Sequence, residues 1–204
     1  MKKLKTFVFA ILAGACIGIG GTVFLSVENR VLGAVLFTVG LFSVCVFGLN
    51  LFTGKVCYVF DNKPAYVLDV AIIWLGNLVG TALVAAAMGA TRAGDSLAAA
   101  AQTLCDVKLG DGLGSIFILA IFCNIMIWVG VEGYKTIPHE IGKYLALFFG
   151  VVVFILCGFE HCVANMVYFS MAGVWSGKAI LYLLVMTLGN AVGGVIFPLV
   201  RKWK

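Results

Sequence analysis

Two adjacent ionisable residues lie in the middle of an apolar stretch of the sequence. Mostly apolar residues surround Glu160 and His161, from Lys143 on one side to Ser170 on the other. An ionisable group at membrane depth costs at least about 2.5 kcal/mol, so such residues are rare and commonly functional. His161 is suited to proton coupling with a weak acid, because the unperturbed pKa of histidine is about 6.5. Glu160 has two interpretations, a functional carboxylate or a group that satisfies backbone freed by a helix break.

Four further polar residues could contact a passing anion. Asn50 and Thr53 interrupt a second apolar stretch, where their side chains could bond an anion or each other. Asn124 lies in a third stretch, and either a hydrogen bond to a neighbouring helix or pore lining explains it. Lys108 precedes that stretch in a polar segment. A loop lysine is normally only solvated, but a cation at the mouth of a low-dielectric vestibule concentrates anions by focusing the field.

The elements that must position these residues are membrane-spanning helices. Of the 204 residues, 63% are hydrophobic and 11% are charged, whereas a soluble domain carries about 25% charged residues. At roughly 20 residues per crossing, the sequence predicts an all-α integral membrane protein with six spans in the lipid bilayer and no separate soluble domain. The predicted spans are about 6–26, 31–60, 65–90, 112–134, 141–170 and 178–200.

The positions of Lys and Arg predict the orientation in a cell (inner) membrane, because cytoplasmic loops retain an excess of positive charge. The first span is predicted to be retained, since its apolar stretch exceeds the roughly 7 to 15 residues of a signal-peptide core. With both termini cytoplasmic, nine basic residues lie inside: Lys2, Lys3, Lys5, Lys63, Lys135, Lys143, Arg201, Lys202 and Lys204. Four lie outside, and Lys55 is unassigned: Arg30, Arg92, Lys108 and Lys178. The formal charge of +5 therefore reflects topology, and no nucleic-acid-binding patch is predicted.

The two halves of the chain echo each other. The string Leu-Gly-Asn-x-Val-Gly occurs at residues 75–80 and again at 188–193, and an over-long, interrupted span precedes each copy. Three spans per half make the second half an inverted repeat of the first, a design in which broken helices carry the transport site near the midplane. We therefore predict one transmembrane domain over 1–204, with repeats at about 6–90 and 112–200 and with the second and fifth helices broken. The glycines indicate close helix packing, with the Asn of each string as an interhelical donor.

Other classes of protein are less compatible with the sequence. The seven cysteines form no Cys-x-x-Cys pair and are predicted to be small buried hydrophobes, so no metal site, cofactor or enzymatic activity is predicted. A membrane subunit of an oxidoreductase would hold haem or quinone through intramembrane histidines. Only His139 and His161 exist, and His139 falls in a polar loop. A channel for water or glycerol would keep the same fold but would need neither Lys108 nor His161.

Residues 158–166, Gly-Phe-Glu-His-Cys-Val-Ala-Asn-Met, resemble the Gly-Phe-Glu-His-x-x-Ala-Asn-Met signature of formate/nitrite transporters. Leu-Phe-Thr at 51–53 resembles the other broken-helix motif of that family, and both Gly-Asn-x-x-Gly strings fit it. The resemblance covers nearly the whole chain and implies an aquaporin-like homopentamer with one pore through each protomer. It implies channel-like transport, by symport with protons, of small monovalent anions of weak acids: formate or nitrite first, with hydrosulfide or acetate as alternatives.

The resemblance also implies a set of pore residues. His161 is similar to the central histidine of the family and Thr53 to the threonine that faces it. The implied pore residues are His161, Thr53, Asn124, Asn190, Lys108, Asn165 and Glu160. The implied apolar constrictions are Phe37 and Leu41 towards the cytoplasm, and Leu51, Phe52 and Phe154 towards the outside. Two positions depart from the family pattern, since Asn50 stands where an acidic residue is usual and Lys55 where a small or neutral one is expected.

Overall fold

The computed structural model describes residues 1–203, which form nine α-helices and one turn of 3₁₀ helix at Val59–Asp61. The helices are α1 (Lys2–Ser26), α2 (Arg30–Val46), α3 (Phe52–Val56), α4 (Tyr66–Gly89), α5 (Gly94–Gly110), α6 (Leu113–Thr136), α7 (Glu140–Leu156), α8 (Cys162–Ala172) and α9 (Gly177–Arg201). Four of them, α1, α4, α6 and α9, are long and apolar enough to cross a membrane. The prediction of an all-helical chain is confirmed for the described residues.

Two helix pairs are interrupted where the sequence predicts broken helices. Residues 47–51 separate α2 from α3, and residues 157–161 separate α7 from α8. Each break contains a glycine with positive φ, 62° at Gly48 and 69° at Gly158, a conformation that glycine adopts without steric cost. In each break the residue after the glycine donates its N–H to the carbonyl oxygen five residues earlier, at 2.9 Å. The two breaks therefore share one backbone design, which ends the first helix and redirects the chain.

The packing of the helices repeats between the halves. Helix α1 packs against α2 and α4, and α6 packs in the same way against α7 and α9. The short helices α3 and α8 each also contact a long helix of the other half, α9 and α4 respectively. This exchange brings the two breaks together in the interior of the protein.

Helix α5 is a feature that the sequence analysis missed. Lys108 was expected in an outer loop segment, but residues 94–110 form a helix that packs against α8. Its buried side chains Leu97, Ala101 and Cys105 recur every four residues, the spacing of one helix face. That spacing, together with the strong helix propensity of the Ala run, is the signal that could have revealed it. Lys108 consequently lies on the last turn of a helix.

Close contact between α1 and α4 depends on Gly80. A Cβ atom at Gly80 would overlap the carbonyl oxygen of Ile11, which belongs to the backbone and cannot swing away. We expect Gly80→Ala to lower the free energy of unfolding by about 1–3 kcal/mol, the usual cost of overpacking. Gly89→Ala is the matched control, because a Cβ there meets no atom within 4 Å. Thermal melting of the detergent-solubilised variants measures the difference, and equal melting temperatures would argue against a tight α1–α4 contact.

Candidate functional site

The two helix breaks meet at a buried pair, His161 and Thr53. Nε2 of His161 lies 2.9 Å from Oγ1 of Thr53, across a sequence separation of 108 residues. Both side chains are almost completely buried. The ring of Phe154 stacks on the imidazole, with ring centroids 5.6 Å apart. The structure therefore places in direct contact the two residues that the motifs single out.

The hydrogen bonds of His161 define which ring nitrogen carries the proton. Nδ1 accepts a hydrogen bond from the backbone N–H of Ala164 at 3.0 Å and so caps the first turn of α8. A backbone N–H can only donate, so Nδ1 is unprotonated and the neutral ring carries its proton on Nε2. Nε2 then donates to Thr53, whose own hydroxyl hydrogen is left free for another acceptor. Protonation of Nδ1 would break the cap of α8.

Two buried asparagines hold the breaks in place. Oδ1 of Asn190 accepts from the backbone N–H of Cys162 at 2.9 Å, and Nδ2 donates to the carbonyl oxygens of Ala120 and Glu160, each at 2.8 Å. Asn77 makes the same three bonds in the other half. Its Oδ1 accepts from the backbone N–H of Phe52, and its Nδ2 donates to the carbonyl oxygens of Ala10 and Asn50. Because both donor hydrogens of Asn190 are engaged, its contact with a substrate stays a prediction, whereas its hold on the break is visible.

Glu160 and Lys108 form a buried ion pair beside His161. Nζ of Lys108 lies 2.7 Å from Oε2 of Glu160, and the side chains are 14% and 4% exposed. Nδ2 of Asn165 donates to the same carboxylate oxygen at 2.8 Å. The carboxylate therefore pairs with side chains and does not satisfy the backbone of the break. Its charge also offsets part of the attraction that Lys108 could exert on an anion.

A cavity of about 340 Å³ connects this ion pair to His161. We call it the outer cavity, after the predicted orientation, and define it by Lys108, Glu160, His161, Phe154 and Arg30. Arg30 was not predicted to be functional. Its guanidinium donates to the carbonyl oxygens of Ile155 and Leu156 at 3.2 and 3.1 Å, at the end of α7. No sequence pattern indicated this role, because Arg30 counted only as one of the basic residues that predict the orientation.

A smaller cavity of about 120 Å³ lies on the opposite side of the central pair. We call it the inner cavity and define it by Leu51, Gly54, Lys55, Tyr134 and Lys135. Leu51 was predicted to face the outside, and this prediction is wrong. The reason is chain direction: α2 starts beside the outer cavity, and a residue that follows its break belongs to the inner side.

Phe37 was also assigned to the wrong side. Its ring meets that of Phe154 edge to face, with centroids 5.9 Å apart, and Phe154 lines the outer cavity. Phe37 lies about two turns into α2, which begins at Arg30, so its ring lies on the side of the outer cavity and not of the inner one. All five predicted constriction residues are buried: Phe37, Leu41, Leu51, Phe52 and Phe154.

Asn124 makes the interhelical bond that was one of its two predicted roles. Its Nδ2 donates to the backbone oxygen of Asn190 at 2.7 Å. Its Oδ1 is buried and has no hydrogen-bond partner within residues 1–203, as is also true of Oδ1 of Asn165. A role for Asn124 in lining the pore stays a prediction.

Comparison with known proteins agrees with this geometry. The family model for formate/nitrite transporters matches residues 1–204. A probable formate transporter of Methanothermobacter thermautotrophicus is 32% identical, over 98% of this chain and 88% of that protein. The nitrite transporter NirC of Salmonella typhimurium is 29% identical, over 99% of this chain and 83% of that protein. A solved structure of a pentameric formate channel with formate bound superposes with a TM-score of 0.87 at 26% identity, over 99% of this chain and 96% of that one.

The match to the family model extends over the full sequence, beyond the two short motifs that carry the resemblance. The apolar helices are accordingly those of a multi-pass membrane protein, and its activity is that of a transporter or channel and not of an enzyme. The chain belongs to the formate/nitrite transporter family.

Proposed function

We propose that this protein is a channel-like transporter of small monovalent anions of weak acids, with formate or nitrite as substrate and protons as the coupled species. The observation that carries the proposal is the buried His161–Thr53 pair at 2.9 Å. His161 lines the outer cavity, while Leu51 and Gly54, which flank the Phe52–Thr53 step, line the inner one. The pair thus lies between residues of the two cavities, which supports a pathway through it.

The proposal includes six membrane crossings, arranged as an aquaporin-like inverted repeat in one domain over 1–204. The repeats span about 6–90 and 112–200, both termini are cytoplasmic, and the membrane is the inner cell membrane. Four long helices supply four crossings, and the broken pairs α2–α3 and α7–α8 supply two more. Matching glycines in the breaks and matching clamps by Asn77 and Asn190 support the repeat. A homopentamer is proposed by analogy with the pentameric formate channel.

In the proposed mechanism, an anion reaches the outer cavity and loses water at the rings of Phe37 and Phe154. The hydroxyl hydrogen of Thr53 and the N-terminal end of α8 then receive it, since helix N-termini favour anions. A bare anion in such a site loses several kcal/mol of solvation. Protonation of the substrate, or a proton passed from His161, removes that cost. The cap that Nδ1 of His161 forms on α8 favours the first route, in which the imidazole stays neutral and the substrate carries the proton.

Three other functions are weaker alternatives. Hydrosulfide and acetate are also conjugate bases of weak acids and suit the same site. A water or glycerol channel would gain nothing from a buried Lys108–Glu160 pair, whose charges are costly to desolvate. For a haem-binding subunit, the second histidine, His139, is exposed at the start of α7 and cannot face the buried His161.

Substrate flux into proteoliposomes tests the proposal. We expect formate and nitrite to enter far faster than glycerol, with glycerol at the rate of protein-free vesicles. Hydrosulfide and acetate complete the panel and rank the anions. Equal flux of glycerol and formate would support a neutral-solute channel, and a Soret band in the purified protein would support the oxidoreductase subunit. Absence of any anion flux above protein-free vesicles would overturn the proposed function.

A further inference from the structure

Two lysines share the inner cavity. Lys55 and Lys135 both line this space of about 120 Å³, together with Leu51 and Tyr134. Like charges that face one small cavity repel each other. An anion bound between the two lysines would turn this repulsion into a net attraction. Neither lysine belongs to the pore residues assigned above.

The carboxylate that Lys135 reaches through Tyr58 is already engaged. Nζ of Lys135 donates to the hydroxyl of Tyr58 at 2.7 Å, and that hydroxyl donates to Oε2 of Glu132 at 2.7 Å. The other carboxylate oxygen of Glu132 is paired with Arg201. Within residues 1–203, neither Lys55 nor Lys135 forms a salt bridge. Glu132 therefore already binds Arg201 and, through Tyr58, Lys135, and no carboxylate pairs with Lys55 within residues 1–203.

The internal repeat explains why the two sides differ in charge. Asn50 and Glu160 occupy the same position in the two breaks: each accepts a bond at its carbonyl from the clamping asparagine. Each also donates its N–H to the first long helix of its half, at 3.3 Å. Glu160 uses its carboxylate to pair with Lys108, whereas Asn50 is neutral. The lysine of the outer cavity is thus compensated and those of the inner cavity are not.

We propose that Lys55 and Lys135 form an inner binding site for a small monovalent oxyanion, and that the protein consequently loads anions at lower concentration from this side than from the Lys108 side. The inference rests on the proposed function and adds an asymmetry to it. Ammonium groups donate charge-assisted hydrogen bonds to oxyanions. One water takes about 30 Å³ of liquid, so an anion of three or four heavy atoms fits the cavity.

Half-saturation measured separately from the two faces tests the inner site. In proteoliposomes of a single protein orientation, we expect wild-type formate flux to saturate at a lower concentration from the inner face. Lys55→Gln should raise the inner half-saturating concentration roughly three- to tenfold, within the range of electrostatic focusing, and leave the outer value unchanged. Lys135→Gln should act in the same direction, and Lys55→Arg should restore the wild-type value. Lys63→Gln is the control, because Lys63 is an exposed lysine of the same polar segment.

The outcomes separate this inference from the proposed function. Formate flux that is intact in Lys55→Gln and Lys135→Gln, with unchanged half-saturation from the inner face, overturns the inner site alone. An equal change from both faces also overturns it, since that result indicates a structural effect on the whole pore. Absence of anion flux in the wild-type protein overturns the proposed function itself.

Discussion

Asn190→Ala is expected to leave little folded protein. The substitution strands the N–H of Cys162 and the carbonyl oxygen of Glu160, both bonded to Asn190 in a buried site. It also removes the bond to the carbonyl oxygen of Ala120, which keeps its partner within α6. An unsatisfied buried polar group costs about 1–3 kcal/mol, so two of them cost about 2–6 kcal/mol. Domain stabilities are commonly about 5–15 kcal/mol, and the loss is therefore a large fraction of the whole. Yield and melting temperature in detergent measure it.

A second asparagine provides the control for that experiment. Asn62 also donates to a backbone carbonyl, that of Tyr58 at 2.8 Å, but its side chain is exposed and water can replace the bond. Asn62→Ala should therefore melt close to the wild-type temperature. If Asn190→Ala also melts close to the wild-type temperature, the asparagine does not hold the break, and the structural account of the second half is wrong.

Loss of the ring of His161 is expected to reduce formate flux at least about tenfold, which corresponds to about 1.4 kcal/mol. Without the imidazole, nothing orients the hydroxyl of Thr53 towards an acceptor in the pore. His161→Ala also removes the cap of α8, so His161→Asn is the sharper variant. Asparagine is a good N-cap residue and can keep α8 folded while it removes both ring nitrogens.

Thr53→Val is the matched variant for the partner side chain, since it removes the hydroxyl at nearly constant volume. It should reduce formate flux in the same direction. Because it leaves the buried Nε2–H of His161 without its acceptor, we expect it to lower the free energy of unfolding by about 1–3 kcal/mol. Stopped-flow uptake into proteoliposomes measures the formate flux of His161→Asn and Thr53→Val. Undiminished, pH-dependent formate flux in His161→Asn would remove the histidine from the mechanism.

The sequence was sufficient to predict the breaks and their residues. A glycine and polar side chains inside an over-long apolar block are strong local signals, because lipid leaves backbone groups there without a partner. The contact of Thr53 with His161 was implied by the resemblance to the formate/nitrite transporters, and the structure shows the two side chains 2.9 Å apart. Asn190 was expected to donate between helices, and it does so to Ala120.

The remaining features depend on contacts that a linear pattern does not carry. Lys108 and Glu160 are 52 residues apart, and their pairing needs α5, whose low hydropathy hid it among the apolar spans. The sides of Phe37 and Leu51 were exchanged because each was placed by motif alone, without following the direction of α2. The charge difference between the two cavities likewise becomes visible only when the partners of each lysine are known.

The central claim is that a proton crosses with the anion at the His161–Thr53 pair. Formate movement in proteoliposomes under an imposed pH gradient, with the membrane potential clamped, tests it most directly. We predict that formate moves to the alkaline side faster in wild-type than in protein-free vesicles, and that His161→Asn lowers this initial rate at least about tenfold. Formate that ignores the pH gradient and follows an imposed membrane potential would show that a bare anion crosses, which would contradict the account.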